Sequence, residues 1–278
     1  MRVFLVDNGS LRPESWINLS RVAARLSERV GRLVEPASVL HSTRMDPADI
    51  PPEWPRPMTW ERATKAALEA GEREFLVLPF FFGPTGAIID YLPQRRAAVE
   101  EKWGPFSLQF APFLASALPG EDRTLADLLV DQVRATKDAR QLEQPHVILV
   151  DHGSPKREVA AVRDRLGPEL ANRLGGTVAG VSVASMERRE GDEYAFNEPL
   201  LEHALRDPAH PAGEVVVAML FLSPGRHAGP GGDIATICAE AEAERPGLRT
   251  HMTELVGQHP AIVDLLAARY EAALATAD

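Results

Sequence analysis

The sequence predicts an α/β protein made of two similar doubly wound parallel-sheet lobes related by an internal duplication. Three observations carry this: a repeated phrase, apolar runs that alternate with amphipathic helical stripes, and a match between the two halves that continues to the end of the chain. The phrase is "FLVDNGSL" at residues 4–11 and "ILVDHGSP" at 148–155, with His152 where the first copy has Asn8.

Each copy begins with an apolar run, "RVFLV" (2–6) or "HVILV" (146–150), that passes through Asp, a polar residue, Gly and Ser into a helical pattern. Run, turn and helix together read as a strand feeding a helix. In the first copy Trp16, Leu19, Val22, Leu26, Val30 and Leu33 form an apolar stripe, and in the second Val159, Val162, Leu166, Leu170 and Leu174 do the same. Ser154 is placed to cap the second helix and Pro155 suits its first turn. Pro168 is expected to kink or interrupt that helix.

The next strands are "VEPASVLHS" (34–42) and "GGTVAGVSVAS" (175–185). Then come the continuous apolar runs "FLVLPFFFGPTGA" (75–87) and "VVVAMLFLSPGRHA" (215–228), of the kind that fills a parallel strand covered on both faces. "LQFAPFL" (108–114) and "THMTELV" (250–256) supply the last strands, each followed by a helix, around 123–134 and 260–275. Each half thus reads β-α-β-α-β-α-β-α, which implies parallel units with right-handed crossovers. The expected lobes are 1–140 and 141–278, joined near the polar "ATKDARQLEQP" (135–145). "DIPPEWPRPMTW" (49–60) reads as a proline-rich loop before a helix.

Composition narrows the function classes. The 278 residues carry a formal charge of −10, and residues 141–278 hold nearly all the excess acid, with 12 Lys and Arg against 21 Asp and Glu. A nucleic-acid binder more often shows a basic face, so nucleic acid is disfavoured as a partner. With no basic leader and no run of about 18 apolar residues, neither export nor membrane insertion is expected, and the cytoplasm is the expected location. The single cysteine, Cys238, excludes a multi-thiolate metal site within one chain, so a metal must rely on His or carboxylate.

In open α/β sheets ligands bind beyond the carboxyl ends of the strands, which is where "DHGS" and "SPGRHAGPGG" must lie. If the strands they follow are neighbours, His152 and His227 face each other across one or two strand spacings, roughly 5–10 Å. Two neutral imidazoles can present a divalent first-row metal while leaving positions open for exchange. The first half replaces both, with Asn8 at one place and Thr85, Gly86 or Ala87 at the other. The glycine-rich loop has no Gly-Lys-Ser/Thr and no G-x-G-x-x-G, so ATP and NAD are not expected. Nor is "RHA" an Arg-His-Gly, and Ser154 lacks a G-x-S-x-G elbow.

These residues, "ILVDHGSP", "VVVAMLFLSPGRHAGPGGDI" and "ELVGQHPAIVDLLAARY", resemble the CbiX/SirB family of sirohydrochlorin chelatases, within the class II tetrapyrrole chelatases that include ferrochelatase. The resemblance is good over about 145–278 and weaker over 1–134. It implies ATP-independent insertion of a divalent metal, Co²⁺ or Fe²⁺ with Ni²⁺ as a further candidate, into a tetrapyrrole such as sirohydrochlorin, in cobalamin or siroheme biosynthesis. The metal is then a substrate, and the family's two metal-site histidines fall on His152 and His227.

Metallation requires loss of two pyrrole N–H protons, which a neutral imidazole near pH 7 can accept. Glu187, after "GVSVASM", is the candidate carboxylate for the protons and the metal charge; its other reading is a solvated loop acid. The substrate's carboxylates call for cations, and Arg226, Arg188 and Arg189 are the candidates, with Ser154 as a further substrate-binding residue. His259 is expected to cap the last helix, and "PFFFGPTGAIIDYL" (79–92) to offer an apolar wall for the macrocycle. A metal- or tetrapyrrole-binding carrier is the alternative. Two fused lobes could suffice as a monomer, with a homodimer also open.

Overall fold

A computed structural model of the chain describes residues 1–115, 123–207 and 213–276. The described elements alternate throughout: β1 (Arg2–Asp7), α1 (Pro13–Val30), β2 (Val34–Ser38), α2 (Trp60–Glu69), β3 (Glu74–Pro79), α3 (Leu92–Trp103), β4 (Ser107–Phe110) and α4 (Arg123–Arg140), then β5 (His146–Asp151), α5 (Arg157–Leu174), β6 (Gly180–Ser185), α6 (Leu201–Arg206), β7 (Glu214–Met219), α7 (Asp233–Glu244), β8 (Arg249–Met252) and α8 (Ile262–Ala275). The strands form two four-stranded sheets, ordered β2-β1-β3-β4 and β6-β5-β7-β8. Every strand pairing is parallel, as the alternation of strands and helices requires.

The central strands are apolar on both faces because helices cover both. In β5, Val147, Ile148, Leu149 and Val150 are all buried, and Ile148 and Val150 join Val217, Met219, Ile234 and Leu255 in one core cluster. In β1, Phe4 and Val6 pack with Trp60, Phe75, Val77 and Phe106. Edge-to-face packing of Phe75 on Phe106, at 5.4 Å between centroids, fits the preferred geometry of aromatic pairs.

The compact units divide the chain differently from its sequence halves. One comprises Met1–Ser116 with Pro260–Asp278, the other Ala117–His259. The helix that closes each half therefore belongs to the other unit. α8 packs on α1, with Arg29 3.1 Å from Asp264 and Arg269 donating to the Leu114 carbonyl at 2.9 Å. In the second unit α4 lies against α5, where Asp127 pairs with Arg173. The expected boundary at residue 140 reflects the duplication, while packing follows the exchanged helices. Residues 135–140, read as part of a linker, are the last turns of α4.

Other local expectations are corrected. α5 starts at Arg157 and Lys156 takes the N-cap position; the Ser154 hydroxyl accepts from the Lys156 amide at 3.1 Å in a turn that precedes the helix. Pro168 does not interrupt α5, which runs unbroken to Leu174. Beside it, Gly167 lets the helix press onto β6, because a Cβ there would stand 2.5 Å from Val183 Cγ1. Leu33 lies beyond the end of α1 and is exposed. His259 lies outside α8, whose N-cap is Ala261.

Two glycines fix the strand ends. Gly9 and Gly153 both have positive φ, +89° and +87°, and a Cβ would meet the carbonyl oxygens of Leu40 and Glu187 at 1.7 and 1.9 Å. Neither the conformation nor the space admits a side chain. Gly9→Ala and Gly153→Ala are each expected to destabilise their unit by about 2 kcal/mol or more, read from chemical denaturation.

Burial of Asp7, at the end of β1, pushes its carboxyl up to about 6 despite a bond from Ser38. The folded state therefore holds this proton between about pH 4 and pH 6 where the unfolded chain releases it, and stability falls as pH rises through that window. Asp7→Asn is expected to remove this component, about 2–3 kcal/mol, leaving a flatter stability profile from pH 4 to 7 in denaturant titrations.

Candidate metal-handling site

The second sheet brings the two histidine loops together because β5 and β7 are hydrogen-bonded neighbours, with Val150 opposite Met219. His152 follows the last residue of β5, and His227 lies in the loop between β7 and α7. Their rings are 4.6 Å apart between centroids and nearly perpendicular, at 86°. The separation is slightly below the shortest spacing expected from the sequence.

The β5–β6 ladder continues past the strands and carries a third group to this point. The Met186 amide donates to the Asp151 carbonyl at 2.8 Å and the Glu187 amide to the His152 carbonyl at 3.2 Å. Glu187 is therefore held beside His152, its carboxylate Oε1 3.7 Å from His152 Nε2. The backbone contact at Gly153 is what permits this approach.

Partners on the far side of each ring assign the tautomers. His152 Nδ1 faces the Gly153 carbonyl at 3.0 Å, an acceptor only, so this nitrogen carries the proton. His227 Nδ1 lies 2.6 Å from Asp233 Oδ2, again an acceptor when ionised. In the neutral form of each ring the lone pair is then on Nε2. Asp233 is the first residue of α7, and the His227 carbonyl accepts from the Ile234 amide at 3.1 Å, which ties the loop to the same helix turn. A carboxylate that receives Nδ1–H both orients an imidazole and raises its basicity as a ligand.

Beneath the loop lies a buried polar network. Asp151 accepts from the Ser185 hydroxyl at 2.6 Å and from the Gly153 amide at 3.2 Å, and Arg163 stands 3.6 Å away. Burial pushes the Asp151 carboxyl up, and the Arg163 guanidinium acts against that shift. Asn197 accepts from the Ser154 amide at 2.9 Å and donates to the Ser154 carbonyl at 3.0 Å. Ser154 is thus engaged through its backbone, and through its hydroxyl in the turn before α5.

The candidate cations have different fates. Arg188 is taken up by Glu198 at 2.7 Å and the Gly191 carbonyl at 2.9 Å. Arg189 lies over the Tyr194 ring at 5.9 Å, and Arg226, whose side chain is 78% exposed, is 3.7 Å from Asp233. A further exposed cation, Arg157, sits 4.6 Å over the Phe196 ring. In the first unit Phe80 and Phe81 of the apolar "PFFF" run are core residues, and Ile89 is exposed.

The site is open. Among the described residues no group of three or more His, Cys, Asp or Glu side chains is arranged to hold one metal ion. Two imidazole nitrogens with a nearby carboxylate offer an incomplete ligand set, suited to an ion that must leave again. The first unit keeps the backbone frame without the donors: the Leu40 amide reaches the Asn8 carbonyl at 3.1 Å where Glu187 reaches His152.

Sequence reasoning missed Asp233, Asp151, Arg163 and Asn197. Asp233 had a visible signal, an acid opening a helix six residues after His227. Arg163 had another, a charged residue on the apolar stripe of α5.

Known proteins share the fold and, over the second half, the family pattern of this chain. Residues 146–273 match the family model CbiX. Among solved structures, SirB from Bacillus subtilis with Fe³⁺ aligns over all of this chain and 98% of its own, at 13% identity and a TM-score of 0.67. The sirohydrochlorin chelatase SirB from Bacillus subtilis subspecies spizizenii in complex with cobalt aligns over 99% and 96% of the two chains, at 15% identity and a TM-score of 0.66. CbiX, described as the terminal enzyme for biosynthesis of siroheme in denitrifying bacteria, aligns over 98% and 99%, at 18% identity and a TM-score of 0.63. No curated protein matches the chain at a significant level. No described helix is long and apolar enough to cross a membrane.

If the tautomers are as assigned, ¹⁵N-detected NMR near pH 8 should show His227 with its proton on Nδ1, and Asp233→Asn should shift that signal toward a tautomer mixture. An unchanged His227 signal in the variant would contradict the assignment. The segment 146–273 thus fits the CbiX family model, and the chain as a whole has the two-lobed α/β fold of the SirB and CbiX structures.

Proposed function

We propose that this protein inserts a divalent metal into a tetrapyrrole without ATP, with sirohydrochlorin as the substrate and Co²⁺ or Fe²⁺ as the metal. The observation that carries the reading is the pair of imidazoles, His152 and His227, each held through Nδ1 by an acceptor and set ring to ring at the ends of adjacent parallel strands with Glu187 beside them. The CbiX match and the metal-bearing SirB structures support it.

In this reading the two Nε2 lone pairs present the incoming ion, and its remaining ligand positions stay open to the ring nitrogens. As each pyrrole N–H is replaced by a metal–nitrogen bond, its proton passes to Glu187 or to an imidazole released from the ion, and then to water. Glu187 is 59% exposed, so a route to solvent exists. Arg189 and Arg226 are the cations we assign to the substrate's carboxylates, while Arg188, bound by Glu198, shapes their loop. Ser154 acts through the backbone of the His152 loop.

Exchangeable ligand positions support transfer over storage, and turnover is what distinguishes the two. Storage favours a closed shell, and transfer favours exchangeable positions. The choice between Co²⁺ and Fe²⁺ depends on geometry and supply more than on donor type.

Anaerobic absorbance of sirohydrochlorin with Co²⁺, Fe²⁺ or Ni²⁺ and catalytic protein tests the proposal. Many turnovers per chain are expected; a change that stops at one equivalent would show a carrier instead. His152→Ala and His227→Ala are each expected to lower the rate at least about 100-fold, and Glu187→Gln by about 10–100-fold. Wild-type rates in both histidine variants would sink the assignment.

A further inference from the structure

We infer that Arg163 is a positioning residue, a buried brace that holds His152 and Glu187 in the geometry metal handling requires. This inference rests on the function proposed above. Arg163 projects from the middle of α5 and is 1% exposed, among the largest fully buried side chains of the protein. Its guanidinium donates to the Ser185 hydroxyl, to the Asn197 carbonyl at 3.2 Å and to the Phe196 carbonyl at 3.0 Å, and it lies 3.6 Å from the Asp151 carboxylate. Its outer edge donates twice to a single oxygen, Asp164 Oδ1, at 2.9 and 2.6 Å.

Three of the inner partners, Asp151, Ser185 and Asn197, lead directly to a site residue. Asp151 ends β5 and precedes His152; its carboxylate also accepts from the Gly153 amide. Ser185 ends β6, two residues before Glu187. Asn197 clamps Ser154 from both sides of its peptide. One side chain thereby ties together the three segments that set the first histidine and its carboxylate. Only a planar, permanently charged fork with five donors can serve these acceptors at once.

The first unit supplies an internal comparison. Aligning Asp7 with Asp151 and Gly9 with Gly153 places Leu19 at the position of Arg163 on the corresponding helix. Leu19 is fully buried. The same frame there carries Asn8 for His152 and Leu40 for Glu187, so the arginine is present where the donors are and absent where they are not. The frame also folds with leucine at this place, which makes Arg163→Leu a substitution the architecture has already accommodated.

The test compares the wild type, Arg163→Leu, Arg163→Ala and His152→Ala by titration with Co²⁺ alone, read through the visible ligand-field spectrum. Arg163→Leu is expected to keep a native far-UV circular dichroism spectrum, bind Co²⁺ about 10- to 100-fold more weakly and give an altered spectrum. Arg163→Ala should behave alike and recover on addition of methylguanidinium, which a loss of folding would not. Wild-type Co²⁺ affinity and spectrum in the folded fraction of Arg163→Leu would overturn the inference. Failure of the wild type to bind Co²⁺ would instead defeat the functional reading. The brace is then judged by amide hydrogen exchange, where Arg163→Leu should speed exchange at Gly153 and Glu187, and unchanged protection there would refute it.

Discussion

The parallel pairing of β5 with β7 is the constraint on which the site depends. The chain leaves β5 for β6 on one side and returns to β7 on the other, so the loops after β5 and β7 diverge above adjacent strands. Such a switch point opens a crevice at the carboxyl edge of a doubly wound sheet. Neighbouring strands lie about 4.8 Å apart, and the two imidazoles inherit that spacing almost unchanged, at 4.6 Å. No long-range folding of loops is needed to bring together residues far apart in the sequence. The glycine at 153 then lets the Glu187 backbone close on the first loop, adding a carboxylate from the strand on the other side.

Around this pair the chain places hydrogen-bond acceptors that hold each ring by its Nδ1 and leave Nε2 pointing away from those partners. Asp233 does this for His227 and the Gly153 carbonyl for His152. The acidic surroundings, Glu187 and Asp233 with buried Asp151 below, favour the approach of a divalent cation. They disfavour a polycarboxylate macrocycle unless cations on the rim offset them, and Arg189 and Arg226 are the exposed side chains available nearby.

The duplication explains how much of this could be read from the sequence. Strand and helix order, both apolar faces of the central strands and the proximity of the two histidines all follow from periodicity and from strand ends, which are local in sequence. Glu187 was accessible for the same reason, since it sits at a strand end in the matching register. Other features depend on tertiary partners that no local pattern encodes. The exchange of α4 and α8 between compact units is one, because each helix is equally amphipathic wherever it docks. The pairing of Arg188 with Glu198 is another. The place of Arg163 on the apolar stripe of α5 was visible in the sequence, but the acceptors that admit its charge there, in β6 and the segment around 196–197, were not. Pro168 was expected to kink or interrupt α5, which nonetheless continues to Leu174, with Gly167 beside it close to Val183 of β6.

The central claim is that one lobe of a duplicated pair handles the metal, through two imidazoles at one switch point. X-ray absorption of the protein loaded with Co²⁺ under anaerobic conditions tests it most directly. The account predicts one cobalt per chain with two imidazole ligands, one of them lost in His152→Ala and one in His227→Ala. Cobalt without imidazole scattering, or a loading of two per chain that survives both substitutions, would contradict it.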